Sequence, residues 1–183
     1  QVAAGTTVAC GPRPAHDAAR AADPDAAASS PGGDPCSGSE AANPVLRARI
    51  TEEPLDGDLA RREVADPGCG AVVGFSGVIR DHDGGRSGVT GLEYSAHPAA
   101  QQVMTDTVRE VAREHPGVRL WAEHRIGALA VGDSALEVAV AAAHRAEAFA
   151  ACSRLVDRIK ECVPIWKRES FEDGRHTWVG LDA

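Results

Sequence analysis

Of the 19 basic residues in the chain, only two are lysines, Lys160 and Lys167. The other 17 are arginines. A chain that uses Arg so freely and keeps two lysines seven residues apart suggests a need for an ammonium there, not for any cation. Lysine is a compact charge, and its amine can carry a proton or act as a nucleophile. The plainer explanation is two surface lysines on adjacent elements, and the count alone does not separate the two. His144-Arg145 is the next pair that chemistry would use. It follows a long apolar run and precedes a helical one, a place where free backbone N–H groups favour an anion. Arg adds a planar fork of donors suited to phosphate, and His a titratable donor. The competing role, favoured for an isolated pair, is a cap bonded to backbone or to Glu147.

Arg80 is the third cation of interest. It closes a Gly-rich stretch, GAVVGFSGVIR from Gly70, and opens the polar loop DHDGGRSG, Asp81 to Gly88. Gly74 and Gly77 allow a ligand to approach the backbone. His82 between Asp81 and Asp83 reads as a solvated turn and not a metal site, because no second ligand cluster appears. His124-Arg125 repeats the His-Arg dipeptide on a strand, where a structural role is expected. No dinucleotide fingerprint, P-loop or G-x-S-x-G elbow occurs, and neither Cys69 nor Cys162 has a recognisable His partner signature.

These residues need elements to hold them. Val45 to Ile50 alternates apolar and basic residues and reads as an edge strand. A short helix follows from Asp56 to Ala65, capped by Asp56 and stopped by Pro67-Gly68. Gly70 to Arg80 and Val89 to Ser95 are strands around the polar loop. A helix starts at Pro98 and runs to about His115, with Val103, Thr107 and Val111 on one face. Val118 to Ile126 and Ala135 to Ala143 are strands separated by a Gly127 to Asp133 turn, the second buried on both faces or packed under a helix. A helix from Ala146 to Cys162 has Phe149, Cys152, Leu155, Val156 and Ile159 as its apolar stripe. Pro164 ends it, so Lys160 and Lys167 lie on different elements, and a tight turn would point both into one cleft. Ile165 to Phe171 and His176 to Leu181 form a terminal hairpin. The order predicts an α+β domain with mainly antiparallel pairing.

Composition sets the outer limits. The 183 residues suit one domain. In residues 1–44, Ala, Pro and Gly make up 24 of 44 positions, and Leu, Ile, Phe, Met, Trp and Tyr are missing. Such a segment buries too little apolar surface to offset its ordering entropy, which predicts a disordered tail ahead of a folded domain at 45–183. The tail has the pattern of neither a signal peptide nor an acid-poor transit peptide. The first residue is Gln, which predicts a natural start further upstream. Net charge is -8, from 27 acidic and 19 basic residues, and this disfavours a duplex nucleic-acid binder. No apolar run approaches the roughly 18 residues of a membrane span. Five cysteines, odd in number and without a C-x-x-C pair, predict neither a disulfide framework nor a zinc knuckle, and a reducing, cytoplasmic setting fits them best.

Taken in order, Phe75-Ser76-Gly77-Val78-Ile79-Arg80, Asp81-His82, His124-Arg125-Ile126-Gly127, His144-Arg145, Lys160 and Pro164-Ile165-Trp166-Lys167-Arg168-Glu169 resemble the catalytic large subunit of molybdopterin synthase. Each motif is weak alone, but the ordered set is specific and covers roughly residues 45–180. One departure is His97 before Pro98, where relatives commonly carry an aromatic residue such as Tyr. The resemblance implies an α/β hammerhead-like domain with an additional antiparallel β subdomain. It also implies a sulfurtransferase of molybdenum cofactor biosynthesis that converts cyclic pyranopterin monophosphate to molybdopterin by installing a dithiolene. Sulfur would come from the C-terminal Gly-Gly thiocarboxylate of a small ubiquitin-like subunit. The implied assembly is a dimer of large subunits with a small subunit at each end, and no metal or other cofactor is expected.

By motif, Lys160 and Lys167 fall on the family's active-site lysines, and Arg80, His144 and Arg145 on its pocket for the anionic pterin. Val78, Ile79, Arg168 and Glu169 extend the substrate-binding set. Which lysine moves protons and which stabilises the oxyanion or the tail is left open. Two other classes compete: a Lys Schiff-base enzyme acting on a phosphorylated carbonyl compound, and a non-catalytic binding module for a ubiquitin-like partner.

Overall fold

The computed structural model describes residues 43–83, 86–87, 89–171 and 176–179. The tail, part of the polar loop, the turn of the terminal hairpin and the chain end, including Leu181, lie outside the described residues.

The core is a four-stranded sheet in the order β1 (Val45–Thr51), β6 (Arg119–Arg125), β8 (Ser134–Ala142), β2 (Ala71–Val78). The central strand β8 shows why it sits in the middle. Leu136, Val138, Val140 and Ala142 alternate onto one face, and Ala139 and Ala141 onto the other. Both faces are therefore buried, as expected. Helices α2 (Ala100–Glu114) and α3 (Arg145–Cys162) cover the first face. Met104, Val108 and Val111 from α2 meet Leu155 and Ile159 from α3 there. Truncating a core residue such as Leu155 to Ala costs about 2–5 kcal/mol in such packing. Helix α1 (Gly57–Val64) covers the second face through Ala60 and Val64, against Trp121. Asp56 caps it as expected, its carboxylate accepting from the Leu59 N–H at 2.9 Å.

Strand β1 is at the sheet edge, as its alternation predicts, but it pairs with β6 in parallel. The other registered pairs are antiparallel. On the α1 face, Arg49 of β1 donates to the buried Glu123 at 2.7 Å, and the Arg47 guanidinium lies 4.5 Å from the Trp121 ring centre.

A second sheet has the order β10 (His176–Val179), β9 (Ile165–Phe171), β5 (Val89–Ala96), β7 (Gly127–Ala130). This is the additional antiparallel layer. Strand β7 corrects the expectation of a plain turn from Gly127 to Asp133: its residues pair with β5, a partner more than thirty positions away that local propensity does not reveal. The polar loop also contains a short hairpin, β3 (His82–Asp83) with β4 (Arg86–Ser87). Helix α2 begins at Ala100, two residues after Pro98. Phe149, expected in the apolar stripe of α3, is 62% exposed, because the stripe that meets the core runs through Ala148, Ala151, Cys152, Leu155 and Ile159. Cys152 and Cys162 are not in disulfides, whereas Cys69 is disulfide-bonded, which the expectation of a reducing setting did not anticipate.

Candidate active site

The two lysines converge. Helix α3 ends at Cys162, and the chain reverses at once: the Val163 N–H bonds the Ile159 carbonyl at 3.0 Å, and the Pro164 carbonyl accepts from the His97 N–H at 3.1 Å. Strand β9 then starts at Ile165. The tight turn at Pro164 thus brings Lys160 and Lys167 to one cleft of about 560 Å³, which Arg80 also lines.

Strand alternation decides which β9 residues enter that cleft. Tyr94 and Leu92 of β5 stand opposite Lys167 and Glu169 of β9 in the antiparallel register. All four line the cleft. The intervening pair, Glu93 opposite Arg168, projects to the other face of the sheet, where the two side chains form an ion pair. Glu169 is almost fully buried, and its carboxylate lies 2.9 Å from the Lys167 ammonium. This contact fixes the ammonium on the cleft wall. Lys160 is held differently. Its ammonium lies 5.6 Å from the centre of the Phe75 ring, and no carboxylate of the described residues is within ion-pair distance. A cation on a ring face with no fixed counter-ion is available to an anionic ligand.

Arg80 follows Ile79, whose backbone is pinned from both sides. The Ile79 N–H donates to the Asp133 carbonyl at 2.9 Å, and its carbonyl accepts from the Gly132 N–H at 2.9 Å. Asp133 is in turn held by Arg125 at 3.1 Å and by the Ala130 N–H at 3.0 Å. Gly127, at φ +87°, makes the corner by which the chain leaves the first sheet for the second. The His124-Arg125-Ile126-Gly127 stretch therefore positions Arg80 through Asp133. His124 supports the opposite wall: its ring meets Tyr94 edge-on at 5.3 Å, and its Nδ1 lies 2.8 Å from the Arg125 carbonyl. Burial pushes the His124 imidazole below its ordinary range, so the ring is neutral and Nδ1 carries the donated hydrogen.

The floor is apolar. Ile79, Leu92, Leu129 and Ala135 form a small cluster packed by Tyr94. Cations at the rim over such a floor act in a lower dielectric than bulk water and attract an anion more strongly. Beside the cleft, Lys160 also borders a more apolar groove of about 450 Å³ along β2 and α3, lined by Phe75, Phe149 and Val156.

Of the nine residues expected to bind substrate, Val78, Ile79, Arg80, Lys160, Lys167 and Glu169 line the cleft. Arg168 is on the far face of its strand. His144 and Arg145 stand at the other end of α3, both exposed, and His144 makes no side-chain cap. Fifteen helical residues separate Arg145 from Lys160, about 22 Å at 1.5 Å per residue. Sequence reasoning did not single out Tyr94, the sole tyrosine of the chain, or Leu92. Their alternation on β5 was legible, but the register that puts them opposite Lys167 and Glu169 was not. Among the described residues, no group of three or more His, Cys, Asp or Glu is placed to hold a metal ion. No helix among them is long and apolar enough to cross a membrane.

Comparison with known proteins gives a consistent result. The family described as MoaE protein matches residues 50–162. The molybdopterin synthase catalytic subunit of Nostoc sp. is 40% identical over 136 residues, which is 73% of this chain and 82% of that protein. The crystal structure of molybdopterin synthase from Staphylococcus aureus aligns with a TM-score of 0.66 at 37% identity, covering 72% of this chain and 95% of that one. A chain from the Helicobacter pylori complex of subunits 1 and 2 of molybdopterin-converting factor aligns with a TM-score of 0.60 at 18% identity, over 77% of this chain and 93% of that one, a likeness of fold.

Proposed function

The chain belongs to the MoaE protein family, and on that premise we propose that it acts as a molybdopterin synthase catalytic subunit, a sulfurtransferase that converts cyclic pyranopterin monophosphate to molybdopterin. The observation that carries the site assignment is the convergence of Lys160 and Lys167, the chain's two lysines, on one cleft with Arg80. Sulfur arrives as the C-terminal Gly-Gly thiocarboxylate of a small ubiquitin-like subunit. The apolar groove beside β2 gives an extended tail a route that ends at Lys160. Net charge does not oppose an anionic substrate, because the local field in the cleft and not the total governs its binding.

In this reading Arg80 holds the substrate phosphate through its planar fork. Lys160 lies nearest the tail's route and polarises the thiocarboxylate carbonyl or carries a proton as sulfur attaches to the substrate carbon. Lys167, fixed by Glu169, stabilises the oxyanion. His144 and Arg145 are about 22 Å along α3 from Lys160, so one chain does not bring them to its own cleft. A homodimer resolves this if a second copy supplies them to the phosphate end of the pocket. A cytoplasmic setting follows from the same biosynthetic role. The test is single-turnover conversion of cyclic pyranopterin monophosphate with thiocarboxylated small subunit. Molybdopterin formation is expected, and its absence with a competent small subunit would refute the reading.

A further inference from the structure

One side chain at the cleft has no part in that mechanism. His82 on β3 lines the same cleft as Arg80, Lys160 and Lys167. Its Nδ1 lies 2.7 Å from a carboxylate oxygen of Asp81. The sequence alone reads this stretch as a solvated turn, but the fold places the imidazole on the cleft wall with a carboxylate at its back. The hydrogen bond commits Nδ1 to Asp81, which leaves Nε2 as the nitrogen that exchanges a proton with anything bound. The contact also holds the Asp81 carboxyl below its ordinary range, so the orienting group stays ionised.

The oxygen that leaves the substrate carbon needs a proton, a task separate from the one given to Lys160 at the thiocarboxylate. Arg80 does not release a proton near neutrality. Lys167 is tied to Glu169, and Lys160 is placed to meet the tail. Imidazole is the side-chain type whose ordinary titration lies closest to neutral pH, which makes it the most efficient proton carrier there.

Resting on the function proposed above, we propose that His82, oriented by Asp81, is a further catalytic residue of the cleft, an acid–base group that exchanges a proton with the substrate through Nε2. The step balances as follows. The thiocarboxylate sulfur forms a bond to a substrate carbon with its own electron pair. The carbon–oxygen bond that it replaces breaks, and its electron pair leaves with the oxygen. The proton on His82 Nε2 moves to that oxygen, and the neutral imidazole regains a proton from solvent. No oxidant or reductant is required.

The experiment is single-turnover conversion with thiocarboxylated small subunit, comparing the intact chain with His82→Gln and His82→Ala, alongside affinity for the small subunit. The imidazole is 59% exposed, so removing it should not disturb folding, and free imidazole has access to the space it leaves. His82→Gln is expected to bind the small subunit normally and to turn over roughly 10²–10⁴-fold more slowly, the range typical of losing a general acid or base. Free imidazole in the buffer should restore a measurable part of the rate to His82→Ala and leave the intact chain unaffected. A merely structural role for His82 would not give that rescue. Normal turnover in His82→Gln, or no response of His82→Ala to imidazole, would overturn the inference while leaving the intact chain's activity, and the function it rests on, in place. An inactive intact chain would overturn both.

Discussion

Replacing Lys160 by arginine separates charge from amine chemistry at the rim of the cleft. Arginine keeps the positive charge and its attraction to the Phe75 ring, which lies 5.6 Å from the lysine ammonium. Lys160 is exposed and has no carboxylate of the described residues at ion-pair distance. The folded state therefore loses little, and the stability change should stay within about 0.5 kcal/mol, as for surface substitutions away from special features. Docking of an anionic tail should also survive. The guanidinium, however, stays protonated and is larger and planar. If the amine exchanges a proton or fits beside the thiocarboxylate, single-turnover conversion should fall by roughly 10²–10⁴-fold. That is a barrier increase of about 2.7–5.4 kcal/mol at 1.36 kcal/mol per decade. The assay is rapid-mixing single turnover with thiocarboxylated small subunit, with affinity and urea unfolding measured on the same samples. A rate close to that of the intact chain would refute the need for an amine at residue 160. A large loss of stability would refute the claim that this side chain is free of structural duty.

Three further outcomes follow from the geometry. Arg145→Ala should leave urea unfolding unchanged, because the side chain is exposed, yet should weaken substrate binding by about 1.5–3 kcal/mol, the worth of a charged hydrogen bond, when titrated with cyclic pyranopterin monophosphate. Gly127→Ala should cost about 1–2 kcal/mol in urea unfolding, since the backbone there has φ +87° while no atom within 4 Å obstructs a new Cβ, so that backbone strain is the whole cost. Stability should fall as pH drops from about 7 towards 5, because burial holds the His124 imidazole below its ordinary 6.5 and the unfolded chain takes up that proton first; urea midpoints across this range should show a shallower slope in His124→Gln, and an unchanged slope would remove His124 as the cause.

The cleft was legible in outline from composition. Two lysines in an arginine-rich chain, with a proline between them, were enough to expect both in one place, because a helix stop followed directly by a strand leaves the chain little freedom. The limits of that reading have a common physical cause. Arg168 and Glu169 are neighbours in one motif, and motif adjacency treats them alike. Strand alternation separates them, sending Glu169 into the cleft and Arg168 to the far face with Glu93. Tyr94 enters the site for the same reason, through a register with β9 that no local pattern encodes. Strand β7 was missed because Gly-Ala-Leu-Ala has little strand preference of its own and is a strand only by pairing with β5. Phe149 has helical spacing with Cys152 and Val156, but α3 meets the sheet one side-chain row away, so the ring stays at the surface. Each difference arises from contacts remote in sequence. The features read correctly, such as the Asp56 cap and the doubly buried β8, arise from local ones.

The distribution of charge ties the fold to the proposed chemistry. A chain of net charge -8 would repel a phosphorylated substrate if the total mattered at the site. Screening at physiological ionic strength limits the influence of exposed charges to about 8 Å. Lining the cleft are Arg80, Lys160 and Lys167, around the apolar floor of Ile79 and Leu92. Glu169 lies in the same cleft, paired with Lys167. Other acidic groups are paired away from the cleft, Glu123 with Arg49 and Glu114 with Arg154, while Asp81 stands behind His82 at its wall. Composition was therefore able to disfavour a duplex nucleic acid, which would span many Debye lengths and meet the whole surface. It had no power to exclude a single phosphate that meets one cleft. The same scale bears on the proposed role of His144 and Arg145: at about 22 Å along α3, the Arg145 charge is screened from the cleft of its own chain, so in the proposed reading this pair shares in binding only by direct contact from a second copy.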